Sequence, residues 1–235
     1  MSAEAAPGSE SPQMPAQPAV ASAARLRITE IFHSIQGEAD AVGWPTVFVR
    51  LTGCPLRCTW CDTTYSFHGG QWREIDDIVR EVTGYATRHV CVTGGEPLSQ
   101  KRCLVLLRRL CDAGLEVSLE TSGALDVSAV DPRVRKVVDL KAPGSGEFKR
   151  NRWSNIEHLR AQDQIKFVLA DRADYEWARD TVRTQALAER CQLLFSPVHG
   201  SLKPRELAEW ILADRLPVRL QLQLHKLLWG DEPGH

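Results

Sequence analysis

The sequence predicts an α/β protein, an incomplete, trimmed parallel β/α barrel. Short apolar, β-branched runs alternate with stretches of helical period, and strand–helix–strand repetition implies parallel pairing. Polar or glycine-bearing groups follow the carboxyl ends of those runs, where β/α folds gather their working residues. About 210 residues remain after the opening segment, short for a complete eightfold barrel.

Taken in order, the opening "MSAEAAPGSESPQMPAQPAVASAA" holds four prolines and no aromatic residue. Its apolar surface cannot offset the entropy of ordering, so residues 1–24 are expected to be a disordered tail and residues 25–235 a single domain. Strands are expected at "RITEIF", "TVFVRLTG", "HVCVTGG", "EVSLETSG", "KVVDLKAP", "QIKFVLA", "CQLLFSP" and "VRLQLQLH". Helices are expected at "WREIDDIVREVTGYA", "LSQKRCLVLLRRLCDAG" with Gly114 as its stop, "ADYEWARDTVRTQALAER", and "KPRELAEWILADR" with Pro204 near its start. No internal repeat is evident.

The chain has 235 residues, 43% hydrophobic and 25% charged, with 29 basic against 30 acidic side chains, so bulk charge suggests neither nucleic acid nor membrane as a partner. No apolar run approaches a membrane span, and the start lacks the basic and apolar regions of a secretion signal, which reads as a cytoplasmic protein. Seven cysteines, with three crowded together, fit a reducing compartment and a ligand cluster better than a disulfide framework.

Those three, Cys54, Cys58 and Cys61, form C-x3-C-x2-C in the loop after "TVFVRLTG". One reading is a structural zinc site with His68 as fourth ligand. The other is a [4Fe–4S] cluster held by three thiolates, which leaves one iron open for an exchangeable ligand. With Trp60 as the aromatic before the last cysteine, the motif resembles the signature of the radical S-adenosylmethionine (SAM) superfamily. The resemblance implies that SAM chelates the open iron and is cleaved to an adenosyl radical, with Trp60, Cys61 and Asp62 near the cofactor. Trp60 alone would read equally as a packing aromatic. "CVTGGEP" agrees: its two glycines allow close backbone approach, and the resemblance makes Gly95 and Glu96 the site for the SAM amino group.

Two stretches narrow the family. "EIFHSIQGEADAVGWPTVFVRLTGCPLRCTWCDTTYSF" and "LQLHKLLWG" resemble the 7-carboxy-7-deazaguanine synthases, and the resemblance spans nearly all of the chain after residue 25. It implies contraction of 6-carboxy-5,6,7,8-tetrahydropterin with loss of ammonia, in queuosine and deazapurine biosynthesis. Glu38 would accept a pair of hydrogen bonds from the guanine-like edge of the pterin, completed by Ile35, Gln36 and Gly37. Arg50 would clamp the substrate carboxylate. Thr93 and His225, the latter expected at the end of the last strand, would also contact substrate, and Glu120 would face the bound ligands as a catalytic carboxylate. Without the resemblance, Glu38 and Arg50 read as a strand-end salt bridge.

Thr63 is implied as the protein ligand to a Mg²⁺ that also binds the substrate carboxylate; otherwise Asp62 and Thr63 cap a turn. Asp139, Leu140 and Lys141, with Ser196, Pro197, Val198 and His199, are implied SAM contacts. Cys91, Cys103, Cys111 and Cys191 lack metal spacing and are expected to pack in the core. "GDEPGH" after Trp229 extends past the shared pattern. The implied partners are an electron donor such as flavodoxin and a second copy in a homodimer. Two alternatives stay open: a glycyl-radical activating enzyme, which would dock a protein loop, and a non-enzymatic zinc-binding module.

Overall fold

The structure, a computed structural model, describes residues 24–230 together with 232 and 234. The tail expected over 1–24 lies, but for Ala24, outside the described residues. Strands β1 (Arg25–Ile35), β2 (Pro45–Leu51), β3 (Gln71–Glu74), β4 (His89–Gly94), β5 (Glu116–Thr121), β6 (Arg135–Asp139), β7 (Gln164–Leu169), β8 (Gln192–Pro197) and β9 (Arg219–Leu220) form one sheet. Its order is β3-β1-β2-β4-β5-β6-β7-β8-β9, open between β3 and β9. β1 runs antiparallel to both β2 and β3, and every pairing from β2 to β9 is parallel. The trimmed barrel expected from the sequence is therefore what forms.

The helices are α1 (Ile75–Gly84), α2 (Cys103–Asp112), α3 (Arg172–Thr184), α4 (Pro204–Asp214) and the short α5 (Leu224–Trp229). In α2 the buried residues Cys103, Leu106, Leu107 and Leu110 recur at helical spacing and make one apolar face. Asp171 caps α3 by accepting from Asp174 N at 2.9 Å, and Pro204 opens α4, where a missing N–H costs nothing.

Two apolar cores lie on the convex side of the sheet. One packs Val47, Val49, Leu51, Val90, Val92, Val117 and Leu119 against α1 and α2. The other packs Ile165, Phe167, Leu169, Leu193 and Phe195 against α3 and α4. Each such Val, Leu or Phe contributes about 1.5–3 kcal/mol by leaving water. No α-helix covers the connections after β5 and after β6; the latter is made of 3-10 turns at Pro143–Ser145, Phe148–Arg150 and Trp153–His158. That is where the barrel is trimmed.

The helix expected from Leu98 starts at Cys103, the one expected to reach Arg190 ends at Thr184, and two further differences have a clear tertiary cause. The helix expected from Trp72 begins at Ile75, because residues 71–74 pair with the edge of β1, Trp72 opposite Arg27. The last expected strand stops at Leu220. Beyond it Gln221 and Gln223 turn inward to Glu38, and Leu224 N donates to Gly37 O at 3.0 Å, so the chain leaves the sheet. His225 accordingly sits in the first turn of α5, not at a strand end.

Candidate active site

Side chains alternate across a strand, so the neighbours of the convex-side core residues point into the barrel. These are Phe48 and Arg50, Cys91 and Thr93, Ser118 and Glu120, Val137 and Asp139, Gln164 and Lys166, Leu194 and Ser196. The set is mostly polar, and it lines a chamber rather than a packed core. Because β1 is antiparallel, its last residue, Ile35, pairs with Pro45 at the amino end of β2. The chain after Ile35 therefore closes the chamber from below. Ala39 packs on Val137 and Leu194 there, Ala39 N donates to Gln221 Oε1 at 2.6 Å, and Arg219 donates to Ala39 O at 2.6 Å.

From this floor Glu38 projects inward, 8% exposed. It accepts from Lys166 Nζ at 2.6 Å and from Gln223 Nε2 at 2.9 Å, with Gln221 Nε2 at 3.4 Å. Burial alone would raise the Glu38 carboxyl, but the Lys166 ammonium and its hydrogen bond hold it well below the usual range. His225 lies against Gly37, where a Cβ would stand 2.1 Å from the imidazole Nδ1, so only glycine admits the ring. Burial lowers the pKa of that imidazole.

Arg50 is held between the rings of Phe32 and Tyr65, 5.7 and 5.8 Å from their centroids. Its Nε donates to Glu30 Oε1 at 2.6 Å, and Tyr65 donates to the same oxygen at 2.8 Å. Arg50 is thus in a salt bridge, with Glu30 rather than Glu38, yet its terminal guanidinium nitrogens make no hydrogen bond among the described residues. Burial raises the Glu120 carboxyl, and the Glu38 carboxylate adds to that rise against Lys166 and Arg50. Gln36 and Thr93 each donate to Glu120 at 3.5 Å. Cys91 departs from the expected core packing: it is buried, but on the chamber side beside Ser118 and Glu120. Cys103 and Cys191 do pack in the convex-side cores.

The three-cysteine loop closes the opposite end. Gly53 N donates to Ser66 O at 2.8 Å and Thr59 N to Ser145 O at 3.1 Å, which ties the loop to the turn after β6. Arg57, not singled out in the sequence, staples it: its guanidinium donates to the carbonyls of Cys54 and Leu56 at 2.8 and 2.7 Å and lies 4.2 Å from the Phe67 ring centroid. Cys54, Cys58 and Cys61 are half-buried and feel one another electrostatically; burial raises Cys54 and lifts Cys58 to about 11. Among the described residues no three His, Cys, Asp or Glu side chains gather to hold a single ion, and His68 is exposed. A tetrahedral zinc site needs such convergence, whereas a cubane spreads its thiolates over separate irons. Three half-buried cysteines carried by one loop fit a cluster that takes them as its ligands.

Gly94 and Gly95 let β4 approach this loop: a Cβ on Gly94 would meet Leu51 O at 2.3 Å, and one on Gly95 would meet Gly53 O at 2.4 Å and Cys54 Cβ at 2.8 Å. Their amides are engaged, Gly95 N to Leu51 O at 3.1 Å and Glu96 N to Gly53 O at 2.8 Å. Glu96, expected at the SAM amino group, is bonded within the protein. Its carboxylate is 0% exposed and accepts from Leu98 N at 3.0 Å, Thr121 Oγ1 at 2.9 Å, Ser122 N at 2.7 Å and Ser122 Oγ at 2.5 Å, so the protein itself saturates it. Thr63, by contrast, makes no side-chain cap; its hydroxyl lies 3.7 Å from Cys61 Sγ. Asp62 and Trp60 lie in the same loop, exposed and half-buried respectively.

At the neighbouring strand ends, Lys141 Nζ donates to Asp139 Oδ2 at 2.8 Å, while Asp139 Oδ1 is buried without a partner among the described residues. The Leu140 side chain belongs to the convex-side core, which leaves only its backbone for a ligand. Ser196 is buried on the chamber side, Pro197 and Val198 are buried beside it, and His199 is exposed.

Residues 48–142, from within β2 to just past β6, match the radical SAM superfamily, and fold and site together define a radical SAM enzyme. The 7-carboxy-7-deazaguanine synthase of Chlorobaculum tepidum is 47% identical over 212 residues, 89% of this chain and 96% of the relative. That of Koribacter versatilis is 44% identical, over 88% and 98%. The crystal structure of QueE from Escherichia coli matches with a TM-score of 0.71 at 26% identity, covering 86% of this chain and 95% of that one. The chain belongs to the 7-carboxy-7-deazaguanine synthase family. Membership implies a [4Fe–4S] cluster and SAM, and an enzyme acting on a small molecule. No helix among the described residues is long and apolar enough to cross a membrane.

Proposed function

We propose that the protein converts 6-carboxy-5,6,7,8-tetrahydropterin to 7-carboxy-7-deazaguanine with loss of ammonia, in queuosine and deazapurine biosynthesis. The observation that carries this reading is the pairing, within one chamber, of the buried, charged acceptor Glu38 with Arg50, whose terminal N–H groups have no partner among the described residues. Glu38 suits the paired donors of a guanine-like edge, and Arg50 suits a carboxylate.

When bound at Cys54, Cys58 and Cys61, the cluster with SAM supplies radical hydrogen abstraction. The chain's own groups position and enclose. Gln36, Gly37 and the Ile35 backbone complete the edge contact around Glu38; His225, fixed against Gly37, and Thr93 contact the ring. Glu120, whose carboxyl burial pushes up, faces the ligands. Asp139 with its unpartnered oxygen, Lys141, the Leu140 backbone and Ser196 to His199 surround SAM, and Gly95 lies against Cys54. Thr63, free of any capping bond, offers its hydroxyl to a Mg²⁺ shared with the substrate carboxylate. Precise placement with water excluded is the catalytic task.

The reading includes a cytoplasmic homodimer reduced by a flavodoxin-like donor. A glycyl-radical activating enzyme would need neither acceptor nor clamp, because its substrate is a protein loop. Anaerobic reconstitution with iron and sulfide, followed by turnover of the carboxytetrahydropterin with SAM and a reductant, tests the assignment. Formation of 7-carboxy-7-deazaguanine is expected; no turnover with an intact, reduced cluster would defeat it.

A further inference from the structure

Lys166 was not singled out by any motif, yet its ammonium lies among the chamber's carboxylates, 2.6 Å from Glu38 Oε2 and 3.9 Å from Asp139 Oδ2. We propose that Lys166 is the positioning residue of substrate recognition, fixing the Glu38 carboxylate in place and in its charged form so that it accepts the paired donors of the pterin edge. This rests on the functional reading above and adds the residue on which recognition depends.

The surroundings leave that task to Lys166. Glu38 is faced by Lys166 from β7, by the neutral Gln221 and Gln223, by His225 from α5 and by Glu120 from β5. The imidazole of His225 favours its neutral form, and Glu120 adds negative charge when ionised. Lys141 is bonded to Asp139, and Arg50 to Glu30. Remove the Lys166 ammonium, and Glu38 is a buried carboxylate with no cation bonded to it, beside Glu120 and close to Asp139. Such a group takes up a proton rather than stay charged. A protonated Glu38 would present an O–H donor to an edge that also donates, and one of the two bonds would be lost. The lysine is itself well held: Asp139 and Leu194 pair with it in register, and its carbonyl accepts from Leu140 N at 2.9 Å.

The sign of the pH effect follows. With Lys166 present the Glu38 carboxyl titrates below the usual carboxylate range, so recognition does not change through Glu38 between about pH 5 and pH 9. In Lys166→Met the carboxyl climbs, and affinity is lost at the acid end and recovered as pH rises.

The test uses the full chain with ¹³C-carboxyl-labelled glutamate, the Glu38 resonance being assigned by its absence in Glu38→Gln. In the same proteins, binding of 7-carboxy-7-deazaguanine, which keeps the guanine-like edge, is measured at about pH 6 and pH 9. The wild-type Glu38 signal should stay that of a carboxylate throughout. In Lys166→Met it should titrate, and affinity should fall at least ~10-fold at the lower pH and distinctly less at the higher. Lys166→Arg should restore an ionised Glu38 and carries the test should the Met variant not fold. An ionised Glu38 in Lys166→Met, a titrating one in Lys166→Arg, or an affinity loss equal at both pH values would overturn the proposal. Failure of the wild-type protein, with Glu38 ionised, to bind the deazaguanine would instead overturn the functional reading and leave the Lys166–Glu38 pairing standing.

Discussion

Replacing Glu96 by Gln alters one atom in a carboxylate wholly enclosed by its own protein. In the wild-type structure Oε2 accepts from both Ser122 N, at 2.7 Å, and Ser122 Oγ, at 2.5 Å, while Oε1 accepts from Leu98 N at 3.0 Å. If the new amide keeps its oxygen toward Leu98, its NH₂ faces the Ser122 N–H, which then has no acceptor; if it flips, Leu98 N–H is the orphan. A buried orphaned amide costs about 1–3 kcal/mol, and exchange of the surviving charge-assisted bonds for neutral ones adds about 1 kcal/mol. Glu96→Gln should therefore lose about 2–4 kcal/mol in urea denaturation of the apo protein. Glu96→Ala orphans both amides and should lose about 2–6 kcal/mol. The damage should spread to the cysteine loop, because Glu96 N holds Gly53 O at 2.8 Å; iron retention after reconstitution should drop with stability. Were Glu96 instead a ligand to the SAM ammonium, Glu96→Gln would fold as stably as wild type and lose only SAM affinity. A stability change below about 0.5 kcal/mol with weakened SAM binding would refute the reasoning.

Three further outcomes are expected. Cys58→Ala should abolish iron retention and SAM cleavage, whereas Cys103→Ala, which empties a small space in the α2 core, should cost about 1 kcal/mol and leave turnover near wild type; iron analysis and thermal melts compare them. Thr63→Ala should flatten the Mg²⁺ dependence of turnover with the cluster spectrum unchanged, and Arg50→Lys should raise KM about tenfold, a point charge replacing a fork; unchanged Mg²⁺ response in Thr63→Ala would place the metal elsewhere. Gly37→Ala should push the His225 ring from its place, since Cβ would lie 2.1 Å from Nδ1, and weaken substrate binding more than tenfold while SAM binding, measured in parallel, holds.

The strand alternation made most of the sheet legible, and the three cysteines made the cluster loop legible. What escaped had a tertiary cause. Nothing local tells that Gln71–Glu74 will meet the edge of β1, so Trp72 joined the helix that follows. "VRLQLQLH" alternates like a strand, but Gln221 and Gln223 alternate toward Glu38 across 183 and 185 positions of sequence, and that long-range demand ends the strand. The Gly-Gly-Glu-Pro turn was found, but the saturation of Glu96 depends on Thr121 and Ser122 from the adjacent strand end. Lys166 inside "QIKFVLA" was a visible signal missed: a lysine amid the apolar residues of a central strand calls for a buried carboxylate partner, here Glu38.

The contrast between the two faces of the sheet has a consequence for how such a protein can change. On β2, β4, β5 and β7 one set of each alternation holds the helices, and the other lines the chamber. The two sets share a backbone but few contacts. A mutation on the inner face can thus revise which molecule is accepted while the scaffold's melting temperature hardly moves, and a mutation on the outer face does the reverse. Descent within such a lineage can explore substrates along one register of each strand while conserving durability along the other, and a library confined to the inner register would search chemistry without first searching for foldability.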